Sequence, residues 1–459
     1  MAIRELSNGI EAIYAQTLVA VDTICGGNIG EPDGGSHFIA DSYPKTEVAL
    51  PNVYADMHAV NLRRSTDPTV IRDSVRALVE TYNLTDSRRL LLDALAPGTD
   101  PLRIKFMSNM GDCFAVIAKT RLAEVNGDPL PQFDDRYFAS ARKTPVIVET
   151  KHLREQLRAA LEKRGINTTD TTDLRGAVAE WTQRVGYVSI LGFDTRTAAM
   201  NKELLRLTRE NIFSNQIFKP YGHFAEYAFT GMQFKPVSNK RFTASSAYAG
   251  GRDGEGRALL QGLIEYNTDH PITETGLAHL VSHEITPGHY IDSAVADLLW
   301  RNGQLGFEAV AHTMCTTETV LREGWAQNAL LIACGGQEGL EEFLGPDHEV
   351  QYWLERLQDA AKNNASILFQ RNGVTETELI RHLAIDCVLD DTYVKKLSGA
   401  WARHHIHGPM YGHAYYGGHK AVATAIEHYG LPAVIKVGLH QQGYLDIETF
   451  DLAVQAEAA

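Results

Sequence analysis

The chain has 459 residues, enough to bury a large core, and 44% of its side chains are apolar. Its 57 acidic residues against 43 basic ones give a formal charge of −14, which argues against nucleic acid or an anionic membrane as partner and leaves small molecules or peptides. Cys25, Cys113, Cys315, Cys334 and Cys387 form no CxxC pair, so buried thiols in a reducing, cytoplasmic setting are expected rather than a disulfide framework or a cysteine zinc site.

The opening residues show no basic segment followed by an apolar core, and no run approaches ~20 apolar residues, so no membrane span is expected. A short helix near residues 9–24 leads into a Gly-, Pro- and Asp-rich loop over 26–38, whose Gly-x-Gly patterns follow no strand and so are not read as a nucleotide cradle. From residue 68, Ile71, Val75, Leu78, Val79 and Tyr82 share one helical stripe, with Asp67-Pro68 or Thr69 as its start. Helical periodicity continues over 90–95, 104–125, 146–163, 172–185 and 195–213. The chain thus reads as a helical lobe over 1–215 and a second lobe over 216–459, or as one continuous domain.

Near residue 216 the composition shifts. The runs 218–220, 234–236, 241–248 and 258–266 are short and β-leaning, with a Gly-rich stretch at 249–254, and they predict a small antiparallel sheet. The 258–266 run is the candidate edge strand for main-chain pairing with an extended substrate.

A helix follows, with Thr273 or Thr275 as N-cap, and carries the seven residues His283-Glu284-Ile285-Thr286-Pro287-Gly288-His289. In the zinc motif HExxH, four residues turn about 400°, so both imidazoles share a face and the Glu aims at the open metal position. Here the second His is two residues late. Six residues of ideal helix turn about 600° and rise about 9 Å, which would hold His283 and His289 apart. Pro287 removes a helical N–H and crowds the carbonyl of His283, and Gly288 tolerates unusual dihedrals, so a break is expected that swings His289 back. His279, at i−4 from His283, is a rival ligand that would leave Glu284 off the metal face, and a supporting or core role suits it better.

A further helix over 316–333 places Thr319, Ala326 and Leu330 beside Glu323, so that carboxylate faces inward and needs a partner or a metal. Glu318 is the competing acid, five residues away. Gly324 would let another helix approach closely. Two helices over 351–390 meet at Arg371-Asn372-Gly373, with Thr375 and Glu378 spaced as a capping box. The segment Arg403 to Ala421 holds five His and three Tyr and reads as the far wall of a cleft, with Tyr415 reaching toward the metal and Tyr411 or Tyr416 as alternatives. His404, His405 and His407 could bind a cation of their own, but adjacent His residues point apart and no acid or Cys lies within the run.

HEITPGH resembles the HExxPGHxxQ signature of the bacterial domain-of-unknown-function 885 family, whose members look like zinc metallopeptidases related to the thermostable carboxypeptidases. Glu323-Gly324-Trp325-Ala326 is similar to that family's EGWA motif, and Pro409, Tyr415 and Gly418 fall on its P-x5-Y-x2-G pattern. The resemblance covers roughly residues 240 to 450. It implies Glu323 as third metal ligand and Tyr415 as the hydroxyl that stabilises the oxyanion. Asp292 stands where the family has Gln, which bears on the substrate.

The sequence therefore predicts a mainly α, two-lobed zincin-like body with a small antiparallel β-element. One Zn²⁺ is expected on His283, His289 and Glu323, with Glu284 as general base and Tyr415 as oxyanion donor, hydrolysing the amide bond of a small peptide or small molecule. Asp292, Tyr411 and Arg403 are candidate substrate contacts, with Arg371 and Arg381 as further carboxylate clamps. A homodimer is compatible with this reading. The rivals are a metal enzyme of the same fold acting on a non-peptide small molecule and an inactive helical metal-binding protein.

Overall fold

Local rules start the helices. Asp67 accepts the amide of Thr69 with Pro68 at the first helical position, and the helix runs Pro68–Thr81. Asp100 and Pro101 repeat the device for the longest helix, and Thr375 and Glu378 close a reciprocal capping box. The computed structural model describes residues 4–6, 9–29, 39–169, 173–213, 231–240, 242–255, 257–440 and 445–458, and helices dominate them. The fold is mainly α, with one small three-stranded sheet and two short two-stranded ladders among the described residues. Most of the 26–38 loop, all of the 218–220 run and residue 241 lie outside the described residues.

The elements that bear on the site are, in chain order, α1 (Gly9–Ile24), β1 (Ala40–Ser42), β2 (Met232–Val237), β3 (Ala244–Arg252), β4 (Ala258–Asn267), α2 (Glu274–Glu284), α3 (His289–Arg301), β5 (His312–Thr313), α4 (Thr317–Ala333), α5 (His348–Ser366), α6 (Asp391–Lys396) and α7 (His407–Tyr429). β3 pairs antiparallel with β4, and β2 adds to the other side of β4 in parallel. The run expected at an edge is thus the middle strand, with its main-chain groups used on both sides. Pro236, which has no N–H to donate, sits on the outer strand β2, as a strand proline should. A short antiparallel ladder joins β1 to β5.

Two large apolar clusters draw on both sides of residue 215. One joins Phe193, Leu204 and Ile212 to Leu277, Val281 and Ile291; the other joins Tyr14, Leu18 and Phe114 to Trp300, Phe307 and Met410. All five cysteines are buried and unbridged. Among the described residues, no helix is long and apolar enough to cross a membrane.

Asp22, near the end of α1, ties down the start of β1. Its carboxylate accepts the amides of Ile39 and Ala40 at 2.6 and 3.0 Å and the Tyr54 hydroxyl at 2.9 Å. Burial pushes it up to about 6 from an ordinary 3.8, against the pull of those three hydrogen bonds. A folded value raised in this way means stability that is complete below about pH 4 and is lost as pH rises through about 6. Asp22→Asn removes the ionisation and retains hydrogen-bonding groups. Urea unfolding of the wild type is therefore expected to weaken from pH 4.5 to 7.5 by about 2 kcal/mol relative to Asp22→Asn. Parallel profiles for the two proteins would show that Asp22 does not titrate in this range.

Candidate metal centre

Helix α2 begins on Thr273, whose hydroxyl accepts the amide of Gly276 at 3.1 Å, and it ends at Glu284. Ile285 leaves the helical region at φ −121°, ψ −78°, and the helix resumes as α3 at His289. The break keeps its hydrogen bonds: Gly288 N–H reaches Ser282 O at 2.9 Å and Ile291 N–H reaches Ile285 O at 3.1 Å. A Cβ at position 288 would collide with the carbonyl oxygens of Ser282 and His283, so glycine is required there by close approach. The two imidazoles are thereby brought to 4.7 Å between ring centroids, at 86° to each other.

Glu323 comes from α4. Its Oε2 lies 3.5 Å from His283 Nε2 and its Oε1 3.9 Å from His289 Nε2. Ligands held at about 2.0–2.1 Å around a tetrahedral zinc stand about 3.3 Å apart, so the three side chains have close to the spacing such an ion needs. Oε1 also accepts the Tyr411 hydroxyl at 2.7 Å, whereas Oε2 is buried with no hydrogen-bond partner. A buried carboxylate oxygen without a donor is costly, and a cation between it and the imidazoles removes that cost. The residues present fit a zinc ion.

Glu284 competes for the third ligand position, because it offers an oxygen that lies, with ligand atoms of His283 and His289, in a group spanning no more than 4.8 Å. Glu323 faces the two histidines through two different oxygens and is not in that group, but its orphaned Oε2, 3.5 Å from His283, favours it as ligand, with Glu284 then beside the open position. Burial, the Glu323 charge and the Asp41 charge push Glu284 up to about 8, with Lys362 opposing. Burial likewise lifts Glu323 to about 7, against its bond from Tyr411. Burial holds His289 down to about 3 and His283 well below the ordinary range, so both imidazoles are neutral and have lone pairs to give.

The other motif residues lock this arrangement. Trp325 donates its indole N–H to the carbonyl of Pro287 at 3.0 Å, so α4 holds the break between α2 and α3. Gly324 and Gly418 face one another, and a Cβ on either would strike the other helix's backbone. This contact brings α7 against α4, so that Tyr411 reaches Glu323 and Tyr415 reaches Tyr411 at 2.9 Å. Tyr411 has one proton and gives it to Glu323, so Tyr415 donates to Tyr411 here. Gly418→Ala is expected to cost about 3 kcal/mol in urea unfolding through overpacking and to weaken zinc binding as Tyr411 is drawn off Glu323. Unchanged stability would mean that the helices part without cost.

Several expected contacts lie elsewhere. Asp292 is 3% exposed and pairs with Arg322, so its carboxylate is turned to a neighbour of Glu323 rather than to a substrate. Arg322 also donates to Ser293 Oγ at 3.1 Å, and Ser293 donates to the carbonyl of His289 at 2.7 Å, so the pair braces α3. Arg403 binds Glu376 at 2.9 Å and lies over the Phe369 ring, Arg371 binds Asp134, and Arg381 is exposed. Tyr411 is committed to Glu323, and Tyr416 packs in a separate cluster with Leu153, Trp181 and Leu357. His279 pairs with Glu355 at 3.0 Å. His404 stacks on His407 while His405 pairs with Glu124, and this His run forms no metal cluster among the described residues.

Two residues were missed from the sequence. Lys362 Nζ lies 3.3 Å from the centroid of the Tyr415 ring, and Asp41 on β1, whose carboxyl is pushed up to about 6 by burial against the pull of Arg322, has a charge that is felt by Glu284 and Glu323. Asp359-x-x-Lys362 reads as an ordinary surface pair along a helix, and nothing local marks Asp41.

No protein-family model and no curated protein matches the chain. Among solved structures, it is similar to the crystal structure of a "putative lipoprotein" from Colwellia psychrerythraea, with a TM-score of 0.50 and 12% identity over 85% of this chain and 70% of that one. A protein from Shewanella oneidensis described in the same words aligns with a TM-score of 0.47 and 13% identity over 86% of this chain and 80% of the other. At such identities the first likeness is one of fold alone.

Proposed function

We propose that the chain is a zinc-dependent hydrolase of amide or peptide bonds. The observation that carries this reading is that the Glu323 carboxylate stands between the two imidazoles, its partnerless Oε2 3.5 Å from His283 Nε2 and its Oε1 3.9 Å from His289 Nε2, with Glu284 alongside. When bound, zinc supplies a Lewis acid that polarises a carbonyl and acidifies a water. Glu284, raised in proton affinity by its buried, acidic surroundings, takes the proton of the attacking water and hands it to the leaving nitrogen. Tyr415 turns its hydroxyl from Tyr411 to the developing oxyanion, and Tyr411 keeps Glu323 in place. Protein from zinc-replete medium is expected to carry about one zinc per chain by elemental analysis and to lose turnover on a peptide and N-acyl amino acid panel after chelation. Absence of bound transition metal, or activity indifferent to chelation, would overturn the reading; bound zinc with no turnover would favour a binding protein.

A further inference from the structure

Lys362, on α5, takes no part in the steps assigned to Glu284 and Tyr415, yet two contacts fix where it stands. Trp401 donates its indole N–H to the Lys362 carbonyl at 3.0 Å. Gly412, on α7, passes so close to the same carbonyl that a Cβ there would lie 2.6 Å from its oxygen. The missing side chain lets α5 and α7 meet at this point. Tyr415 follows Gly412 by three residues and so shares its face of α7. The Lys362 side chain, 18% exposed, ends with its Nζ over the Tyr415 ring, 3.3 Å from the centroid, a close cation–π contact.

The charges that face this ammonium come from several elements. Along α5, Asp359 stands 3.4 Å from Lys362 and 3.0 Å from Arg356, so one carboxylate is shared between two cations. Glu284 on α2 and Glu323 on α4 both feel the Lys362 charge, which opposes the rise in their proton affinity. An aspartate and a lysine three residues apart pair on any helix without an aromatic ring between them and a site. Here the ring is the nearer partner, and an ammonium drawn out of water gains more from a π-face than an exposed one does.

We propose that Lys362 is a positioning residue for Tyr415: its ammonium fixes the ring and makes the phenol a stronger donor to the tetrahedral anion of the reaction. The inference rests on the amide-hydrolase reading. At rest Tyr415 donates to the neutral oxygen of Tyr411. Donation to an oxyanion instead moves electron density onto the phenol and its ring, and the attraction of an ammonium for the ring face grows with that density. Lys362 thus stabilises the transition state more than the resting state, which is the condition for raising kcat.

The test titrates zinc-loaded wild type, Lys362→Met, Tyr415→Phe and the double variant by calorimetry with a phosphinic dipeptide, whose tetrahedral anionic phosphorus mimics the intermediate, and measures kcat on the same preparations. Lys362→Met is expected to weaken phosphinate binding and to lower kcat by about 3- to 30-fold each, with KM unchanged. In the Tyr415→Phe background the same substitution is expected to change either quantity by less than about 2-fold, because the hydroxyl through which Lys362 acts is gone. Lys362→Gln, which keeps a donor for Asp359, is expected to match Lys362→Met and replaces it should the methionine variant fail to fold. Equal losses in both backgrounds, as when Lys362 acts on Glu284 or on the substrate itself, would overturn the inference. So would a Lys362→Gln variant that behaves as wild type, or a wild type that does not bind the phosphinate. Wild-type turnover with equal losses in both backgrounds removes the role of Lys362 and keeps the hydrolase; the Tyr415-dependent pattern in phosphinate binding, without turnover of any compound, keeps the pairing and removes the hydrolase.

Discussion

Glu284→Gln is expected to fold, to keep its zinc and to lose about 10³- to 10⁴-fold in kcat, the scale of a general base taken out of a proton-transfer step. Glutamine is isosteric and neutral, so it fits a buried position 8% exposed, where the charged form is disfavoured. Metal content and kcat measured on the same preparation decide the matter. Because Glu284 offers an oxygen close to both imidazoles, loss of zinc in this variant would move it from base to ligand.

Glu323→Gln is expected to act in the opposite manner. Removing the anionic ligand should weaken zinc binding by at least about 10³-fold in a competition titration, with residual activity that depends on added metal. The metal-free variant should be no less stable than metal-free wild type, because glutamine replaces a carboxylate whose Oε2 has no partner. Two phenols then separate binding from rate. Tyr415→Phe should bind zinc as before and lose about 10²- to 10³-fold in kcat, the usual cost of one oxyanion donor. Tyr411→Phe should loosen zinc, since that hydroxyl holds Glu323 Oε1. Full turnover in Tyr415→Phe would remove the transition-state part of the mechanism.

Local signals in the sequence carried much of this. Thr273, Asp67 and the Thr375/Glu378 box mark helix starts by side-chain oxygens that satisfy orphan amides, and each does so in the fold. The break at Pro287-Gly288 was legible because six residues of regular helix cannot bring two imidazoles together. Gly324 was legible as a site of close helix approach, although its partner Gly418, 94 positions on, was known only as a motif residue. What was not legible depends on distant packing. The 258–266 run has the alternation of a strand whether it lies at an edge or in the middle, and only its pairing with β2 decides that. Arg403 and Asp292 were expected at the substrate, but ion pairs with Glu376 and Arg322 hold them elsewhere. Lys362 and Asp41 act on the site from two separate segments, and no periodicity announces that meeting.

Crystals of the zinc-loaded protein, with diffraction recorded on both sides of the zinc absorption edge, locate the ion by its anomalous signal. One peak is expected about 2.0–2.2 Å from His283 Nε2, His289 Nε2 and an oxygen of Glu323, with Glu284 beside it and outside bonding distance. A peak bonded to Glu284 in place of Glu323, a peak at any other position, or none at that site would contradict the metal centre described here.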